Sequence, residues 1–147
     1  MVYVVLENVG LGKKFKAKNN VMLSYSKDNS VSQYPAPETP ESETPLIKFA
    51  GVLSKWTISF DLITDTEDLS MGTHTPAVRT VWEQIQYLTD YFVTDKVNEK
   101  HRVTIPGVLS GGGNFVKEGA FSRISIDFMS GEGEKAKANI DLNIGKV

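Results

Sequence analysis

Residues 49–63 read Phe-Ala-Gly-Val-Leu-Ser-Lys-Trp-Thr-Ile-Ser-Phe-Asp-Leu-Ile. From residue 55 onward, polar and apolar side chains alternate strictly. The polar positions are Lys55, Thr57, Ser59 and Asp61, and the apolar positions are Trp56, Ile58, Phe60 and Leu62. Because successive side chains of a strand point to opposite faces, this alternation predicts a long β-strand with one buried and one hydrated face.

Two segments near the end of the chain alternate in the same way. Their polar positions are Arg123, Ser125, Asp127, Lys137, Asn139, Asp141 and Asn143, with apolar residues between them. The glycine-rich residues 131–134 predict a turn that joins the two segments as a hairpin. Three such strands predict an antiparallel sheet that packs on one face and meets water on the other.

The rest of the chain adds further strands and one helix. Residues 2–6, 21–25 and 101–106 are apolar enough for strands, and turn signals at Gly10, Gly12 and Asn19-Asn20 separate the first two. The sequence therefore predicts a single β-rich α+β domain over residues 1–147.

Residues 75–92 carry the helix signal. Thr75 is predicted as the N-cap and Pro76 as the first helical residue. An apolar stripe is predicted to face the sheet, and it comprises Val78, Val81, Trp82, Ile85, Leu88 and Phe92. We expect Trp56, Phe60, Trp82 and Ile85 to share one core. The opposite face is predicted to carry Thr80, Gln84, Tyr87 and Tyr91, and the two tyrosines either pack at the edge of the core or contact another subunit.

A proline-rich segment interrupts the pattern at about residues 27–46. Prolines at 35, 37, 40 and 45 stand among Ser, Thr and Glu, which predicts a long loop or arm. Such a segment is either a surface loop or an arm that becomes ordered on a partner. In the second case residues 31–45 contact a neighbouring subunit or an adjacent ring, with Tyr34, Pro35 and Pro37 as the contact residues.

Composition limits the classes of function. The net charge of −2 gives no basic surface for nucleic acid, and the absence of cysteine excludes disulfides and thiolate sites. No segment resembles a signal peptide or approaches the roughly 18 apolar residues of a membrane span. We therefore expect a protein that is made and folded in a cytoplasm and does not leave by a signal peptide.

The sequence offers little for catalysis. His74 and His101 have no second ligand at metal spacing, so each is expected to be a surface residue. The acidic residues from Asp61 to Asp68 lack the glycine-centred pattern of a calcium loop. The glycine-rich runs at 10–14 and 111–113 lack a phosphate-loop ending. We expect no enzyme, no cofactor and no metal; a metal-dependent hydrolase is the least favoured alternative.

Several short motifs resemble the tube-like domain of contractile phage tails and contractile injection systems, which also occurs in baseplate proteins. They are Phe49, Gly51, the strand Trp56–Leu62 with Asp65-Thr66 after it, Val78-Arg79 at the helix start, Gly119–Ile126 and Gly133–Ala138. The asparagine-proline motif of that family is replaced here by Asn20-Val-Met-Leu-Ser24. No LysM sequence is present in these residues, so binding to the cell wall is not carried over.

The resemblance implies an antiparallel tail-tube-type β-sandwich or barrel with one amphipathic helix packed on the sheet. It implies a non-enzymatic structural component of a phage tail or injection particle that forms a six-fold ring, as tail tube, tube initiator or baseplate adaptor. The implied partners are further copies of the chain and adjacent tube, baseplate or sheath proteins. DNA or effector cargo would pass through the lumen without specific binding, and the protein would not insert into a membrane.

The residues expected to face the lumen are Lys55, Thr57, Ser59, Asp61, Arg123, Ser125, Asp127, Lys137, Asn139 and Asp141. The alternative function is a monomeric β-rich module that binds a small ligand or carbohydrate. Its site would comprise the acidic loop at 61–68 and the aromatic residues.

Overall fold

A computed structural model of the chain describes residues 3–33, 46–93, 99–128 and 135–145; for residues 29–33 and 46–53 it describes the backbone only. In these residues seven strands and one α-helix are present. The strands are β1 (Val4–Asn8), β2 (Lys13–Ala17), β3 (Met22–Gln33), β4 (Leu46–Ile63), β5 (His101–Ile105), β6 (Phe115–Phe128) and β7 (Lys135–Ile144). The helix α1 spans Val81–Tyr91, and a short 3₁₀ turn spans Ser110–Gly112.

The strands form one open antiparallel sheet in the order β2-β1-β5-β6-β7-β4-β3. Its two edge strands are joined directly, since only four residues separate Ala17 from Met22. Five Cα steps span at most about 18 Å, whereas seven flat strands would separate the two edges by roughly 29 Å. The sheet must therefore curl until β2 and the start of β3 come together.

The core lies inside this curl, where the apolar faces of the two halves of the sheet meet. The rings of Phe15 on β2 and Phe60 on β4 lie 5.7 Å apart, although four strands separate β2 from β4 in the sheet. Ile58, Phe60 and Leu62 are fully buried, as the alternation predicts. Burial of each such side chain stabilises the fold by about 1.5–3 kcal/mol, so the β4 pattern contributes much of the stability.

A bulge in β6 reverses the order in which its side chains face the core. The register with β7 shifts between Phe121 and Arg123, which leaves Ser122 as the extra residue. Phe121 points into the core at an odd position, and Ile124 and Ile126 pack against the core at even ones. The bulge is therefore what places Arg123 on the polar face.

The first half of the chain differs from the prediction in two places. Strand β2 was not predicted, because its sequence Lys-Lys-Phe-Lys-Ala has only two apolar side chains. Strand β3 continues through Gln33 and pairs with β4, so the predicted loop at 27–46 is wrong for residues 27–33. Residues 34–45, which hold Tyr34, Pro35 and Pro37, lie outside the described residues.

The helix begins five residues later than predicted, and its N-cap is Thr80. The Thr80 hydroxyl accepts a hydrogen bond from Glu83 N–H, and the Glu83 carboxylate accepts one from Thr80 N–H. This reciprocal pair is a capping box, and it fixes the first turn. The prediction of Thr75 as N-cap and Pro76 as first helical residue is therefore wrong.

The buried face of α1 is also rotated from the prediction. Gln84 and Tyr87 are 1% and 2% exposed, whereas Trp82 is 61% exposed. The Gln84 amide is buried at no loss of hydrogen bonds, since it donates to the carbonyl oxygens of Ile63 and Arg79, both at 2.8 Å. Trp82 thus does not belong to the core, while Phe60 does, and Trp56 and Ile85 are partly buried against it.

Candidate assembly interface

The polar side chains of β4, β7 and β6 form one continuous face in three cross-strand rows. The rows are Thr57–Asp141–Arg123, Ser59–Asn139–Ser125 and Asp61–Lys137–Asp127. Lys55, opposite Asn143, lies one step beyond the first row. The structure thus places on one face all ten residues that the sequence predicted to share it.

Hydrogen bonds hold parts of this face in fixed positions. The Thr57 hydroxyl donates to Asp141 Oδ1 at 2.9 Å, and the hydroxyl of Ser59 donates to Asn139 Oδ1. Lys55 Nζ lies 4.0 Å from Asp141 Oδ2. A shallow depression of about 220 Å³ opens between β6 and β7 and is lined by Arg123, Ser125, Asn139 and Asp141.

Asp61 is the least accessible member of the polar face. The Asn20 amide donates to its carboxylate at 2.6 Å, and Lys135 Nζ lies 3.8 Å from the same oxygen. The Asp61 N–H also donates to the Asn19 carbonyl. Asp61 therefore ties the β2–β3 connection to β4, and its carboxylate is mostly covered, contrary to an open lumen position.

Two strand edges beside this face have no backbone partner among the described residues. One is the outer side of β3, because β3 ends the sheet. The other is the β5 side of β6 beyond Phe121, because β5 pairs only with Phe115–Gly119. The His101 ring ends that pairing, since Phe121 N–H donates to His101 Nδ1 at 3.0 Å.

The remaining edge of the sheet, β2, is covered by the chain itself. Lys16 N–H donates to the Leu69 carbonyl at 2.8 Å, and Lys14 N–H donates to the Thr73 hydroxyl at 3.0 Å. The Tyr87 hydroxyl donates to the Lys14 carbonyl at 2.7 Å. An unpaired edge is a template for another strand. Strand β2 is therefore protected from further pairing, whereas no described residue protects the outer edge of β3.

The acidic loop after β4 is occupied by internal contacts. Hydrogen bonds from Lys18 and Lys16 lower the pKa values of Asp65 and Glu67, and the same carboxylates raise the pKa of Lys18. Burial opposes the lowered pKa of Asp68, but hydrogen bonds from Ser70, Val78 and Gly72 outweigh it. These carboxylates stabilise the loop, and within the described residues no group of three or more His, Asp or Glu could hold a metal ion.

The predicted subunit contacts on α1 are mostly internal. Tyr87 is buried, which contradicts its predicted place on the outer face. Tyr91 is half-buried, and Lys13 Nζ lies over its ring, 5.0 Å from the ring centre. His74 packs on both rings, with centroid distances of 5.1 and 5.5 Å. A cleft of about 280 Å³ beside them is lined in part by Glu83 and Asp90.

His101 also differs from the prediction, because it is buried and not on the surface. Burial lowers the pKa of His101, while the negative charge of Glu99 acts in the opposite direction. The histidine follows the alternation of buried and partly buried residues along β5, so the strand pattern itself was the missed signal.

Exposed aromatic side chains beside the free edges were not anticipated. Tyr25 on β3 is 51% exposed, Phe128 at the end of β6 is 59% exposed, and Phe128 lies 5.3 Å from the Trp82 ring. Sequence periodicity predicts Trp82 as part of the core and gives no sign that Phe128 is exposed. Only the tertiary arrangement reveals that no described part of the chain covers them.

Compared with known proteins, the sequence matches no protein-family model and no curated protein. The resemblance to tube-like domains therefore stays a prediction that rests on the motifs. Among the described residues, no helix has the length and apolar character needed to cross a membrane.

Proposed function

We propose that this protein is a structural component of a phage tail or contractile injection particle, and that six copies form a ring around a polar lumen. The observation that supports this proposal is the position of the two free edges. They border the same four strands, β6-β7-β4-β3, and the polar rows lie on three of these strands.

Strand direction permits the four-stranded sheet of one copy to pair with that of the next copy and form one continuous sheet. Neighbouring strands alternate in direction across the sheet, so β3 and β6 run oppositely. If β3 of one copy lies beside β6 of the next, the new pair is again antiparallel. Joining the edges in a closed ring also leaves neither edge exposed, which removes the risk of uncontrolled strand pairing.

A six-fold ring built in this way contains about 24 strands in its inner wall. Barrels of 16–18 strands already enclose an aqueous channel, so a ring of this size has an open lumen. The apolar faces pack on the β2-β1-β5 half of the sheet and on α1, which leaves the polar rows to line the channel. Asp61 is largely covered, so the accessible charges of the wall are the cations Lys55, Arg123 and Lys137 and the anions Asp127 and Asp141. With both signs present, the wall is one to which charged cargo does not adhere.

Molecular mass in solution tests the ring directly. We expect light scattering of the purified protein to show a species of six copies, or stacked tubes, and negative-stain images to show rings with a central hole. A monomer at every concentration would overturn the proposal and favour a ligand-binding module instead.

The proline-rich segment offers a second test of assembly. Deletion of residues 34–43 leaves the described strands intact, so we expect the monomer to unfold at nearly the same urea concentration. If the segment contacts a neighbouring subunit or ring, the same deletion weakens assembly into rings or tubes. If the deletion instead prevents the monomer from folding, the segment packs within its own copy and does not serve to contact a neighbour.

A further inference from the structure

The side chains along the two free edges are complementary in charge and polarity, which bears on how neighbouring copies meet. On the polar face, β3 carries Ser24, Ser26 and Asp28, and the free part of β6 carries Arg123, Ser125 and Asp127. Among the described residues, neither Asp28 nor Arg123 has an ion-pair partner within 4.0 Å. On the apolar face, Leu23 and Tyr25 border one edge, and Ile126 and Phe128 border the other.

The geometry of a closed ring restricts the register between these edges. Strands in barrels tilt by about 35–45° from the barrel axis. With a spacing of about 4.8 Å between strands and a rise of about 3.3 Å per residue, this tilt shifts each strand along its neighbour by roughly one residue, and this shift is the stagger. Four strands per copy therefore produce a stagger of about four to six residues. The stagger must be even, because an odd shift would place apolar side chains on the polar face.

The direction of the stagger follows from what is already paired. Without stagger, Ser24 lies level with Arg123 of the next copy, and about half of β3 lies beyond Gly119, where β6 is already paired with β5. Sliding β3 toward Phe128 instead places Leu23–Asp28 beside Arg123–Phe128, and on the side of β6 opposite β7 no described strand pairs with these residues. A stagger of four places Asp28 opposite Arg123, whereas a stagger of six places it opposite Ser125.

We propose that β3 of one copy pairs with the free half of β6 of the next copy at a stagger of four residues. The opposed pairs are Asp28–Arg123, Ser26–Ser125 and Ser24–Asp127 on the lumen side, and Tyr25–Ile126 and Leu23–Phe128 on the outer side. Directly opposed side chains of opposite charge stabilise antiparallel pairs, as do aromatic residues opposite branched aliphatic ones. The exposed Phe128–Trp82 pair of each copy is covered by its neighbour in this arrangement. This register rests on the proposed ring.

Engineered cysteines distinguish the possible registers, because the natural chain contains no cysteine. Within one copy, residues 26 and 125 lie on strands separated by β7 and β4, roughly 14 Å apart, so they cannot form an internal disulfide. In S26C/S125C the two thiols of neighbouring copies are directly opposed. We expect oxidation to yield a ladder of linked copies up to the closed ring on a non-reducing gel.

The matched control is S26C/D127C, whose cysteines would be opposed only at a stagger of six. We expect this variant to remain largely unlinked under the same oxidation. A ladder from S26C/D127C in place of S26C/S125C would overturn the register. Rings without a ladder from either variant would overturn this β3–β6 interface but leave the ring itself intact, and a monomeric parent protein would overturn both proposals.

Charge exchange provides an independent measurement of the Asp28–Arg123 pair. D28R and R123D each place two like charges at every interface, and we expect each to weaken assembly about five-fold or more per interface at low salt. The double variant D28R/R123D restores opposite charges in the reversed order. Recovery to within about two-fold of the parent supports the pair, whereas additive losses in the double variant contradict it.

Discussion

Gly119 occupies a position where strands β6 and β7 approach too closely for any side chain. A Cβ atom there would lie 1.9 Å from the Asn143 carbonyl oxygen, which belongs to the backbone and cannot rotate away. Gly119 also pairs with His101, so the strand has neighbours on both sides. We expect Gly119→Ala to lower the free energy of unfolding by about 3 kcal/mol or more, because β6 and β7 must separate locally. Urea unfolding measures this, and Ala120→Gly on the same strand is the control, for which a loss of about 1 kcal/mol is expected.

His101 makes the stability of the fold dependent on pH in a defined range. Its Nδ1 accepts the Phe121 N–H, and its Nε2 is buried 3.9 Å from Glu99 Oε2. Burial lowers the pKa of His101, so near pH 6.5 and below the unfolded chain binds a proton that the folded chain does not. Stability is therefore fully present above about pH 6.5 and falls as pH decreases toward the lowered pKa of the folded state.

The variant His101→Asn tests this dependence, because its amide oxygen can accept the same N–H and does not titrate. We expect the free energy of unfolding to fall less between pH 7 and pH 5 in the variant than in the parent. The acidic groups with lowered pKa values act below about pH 4.5 and do not affect this comparison. Identical pH dependence of the two proteins would show that His101 protonation is not linked to folding.

At the scale of single elements, strands were easier to predict than the helix. In β7, and in β4 from Lys55 onward, a period of two separates the polar from the apolar side chains, and the structure places the two sets on opposite faces. For α1 the period of 3.6 was correct in kind, but the start was placed at Thr75 and the buried stripe included Trp82. A stripe with only apolar members could not include Gln84, whose burial depends on the Ile63 carbonyl of another element. Long-range hydrogen bonds of this kind leave no local sequence signal.

Matched substitutions of Thr75 and Thr80, the two threonines before α1, test which of them is the N-cap. Thr80→Ala removes the acceptor for Glu83 N–H, and we expect it to cost about 1 kcal/mol of stability. Thr75→Ala removes an exposed side chain that makes no hydrogen bond to the described residues, so its effect should stay within about 0.5 kcal/mol. Thermal or urea unfolding of both variants decides between the two caps, and the reverse order of effects would place the helix start at Thr75.

The orientation of α1 can be tested with two aromatic residues. Phe60→Ala creates a cavity in the core and should cost about 3–5 kcal/mol. Trp82→Ala removes an exposed side chain, so we expect less than about 1 kcal/mol in the monomer, although it should weaken assembly if a neighbour covers the Phe128–Trp82 pair. A large loss of monomer stability in Trp82→Ala would restore the originally predicted helix face.

At the scale of the whole molecule, the polar face was predictable and the curl of the sheet was not. Alternation along β4, β6 and β7 is a local property, and it assigned all ten polar residues to one face. The strand order depends on pairings between residues far apart in sequence, such as β1 with β5, which no local pattern encodes. The free edges follow from that order, and so the proposed interface could be argued only from the structure.

The orientation of the polar face in the ring can be tested by charge reversal. K55E/K137E changes each copy by four charge units, hence about 24 per six-fold ring, and in the proposed ring these charges converge on the lumen. Repulsion there should weaken assembly, and more strongly at low salt, where the Debye length exceeds about 10 Å. Lys137 also lies between Asp61 and Asp127 across the strands, so a small loss of monomer stability is expected as well.

The matched control is K14E/K117E, which makes the same charge change on strands β2 and β6 away from the polar rows. Lys14 likewise lies opposite an acid, Glu7. Light scattering at about 20 and 500 mM salt should show a larger salt dependence of assembly for K55E/K137E than for the control, because only its added charges face one another across a confined channel. Equal salt dependence of the two variants would mean that the polar face points outward.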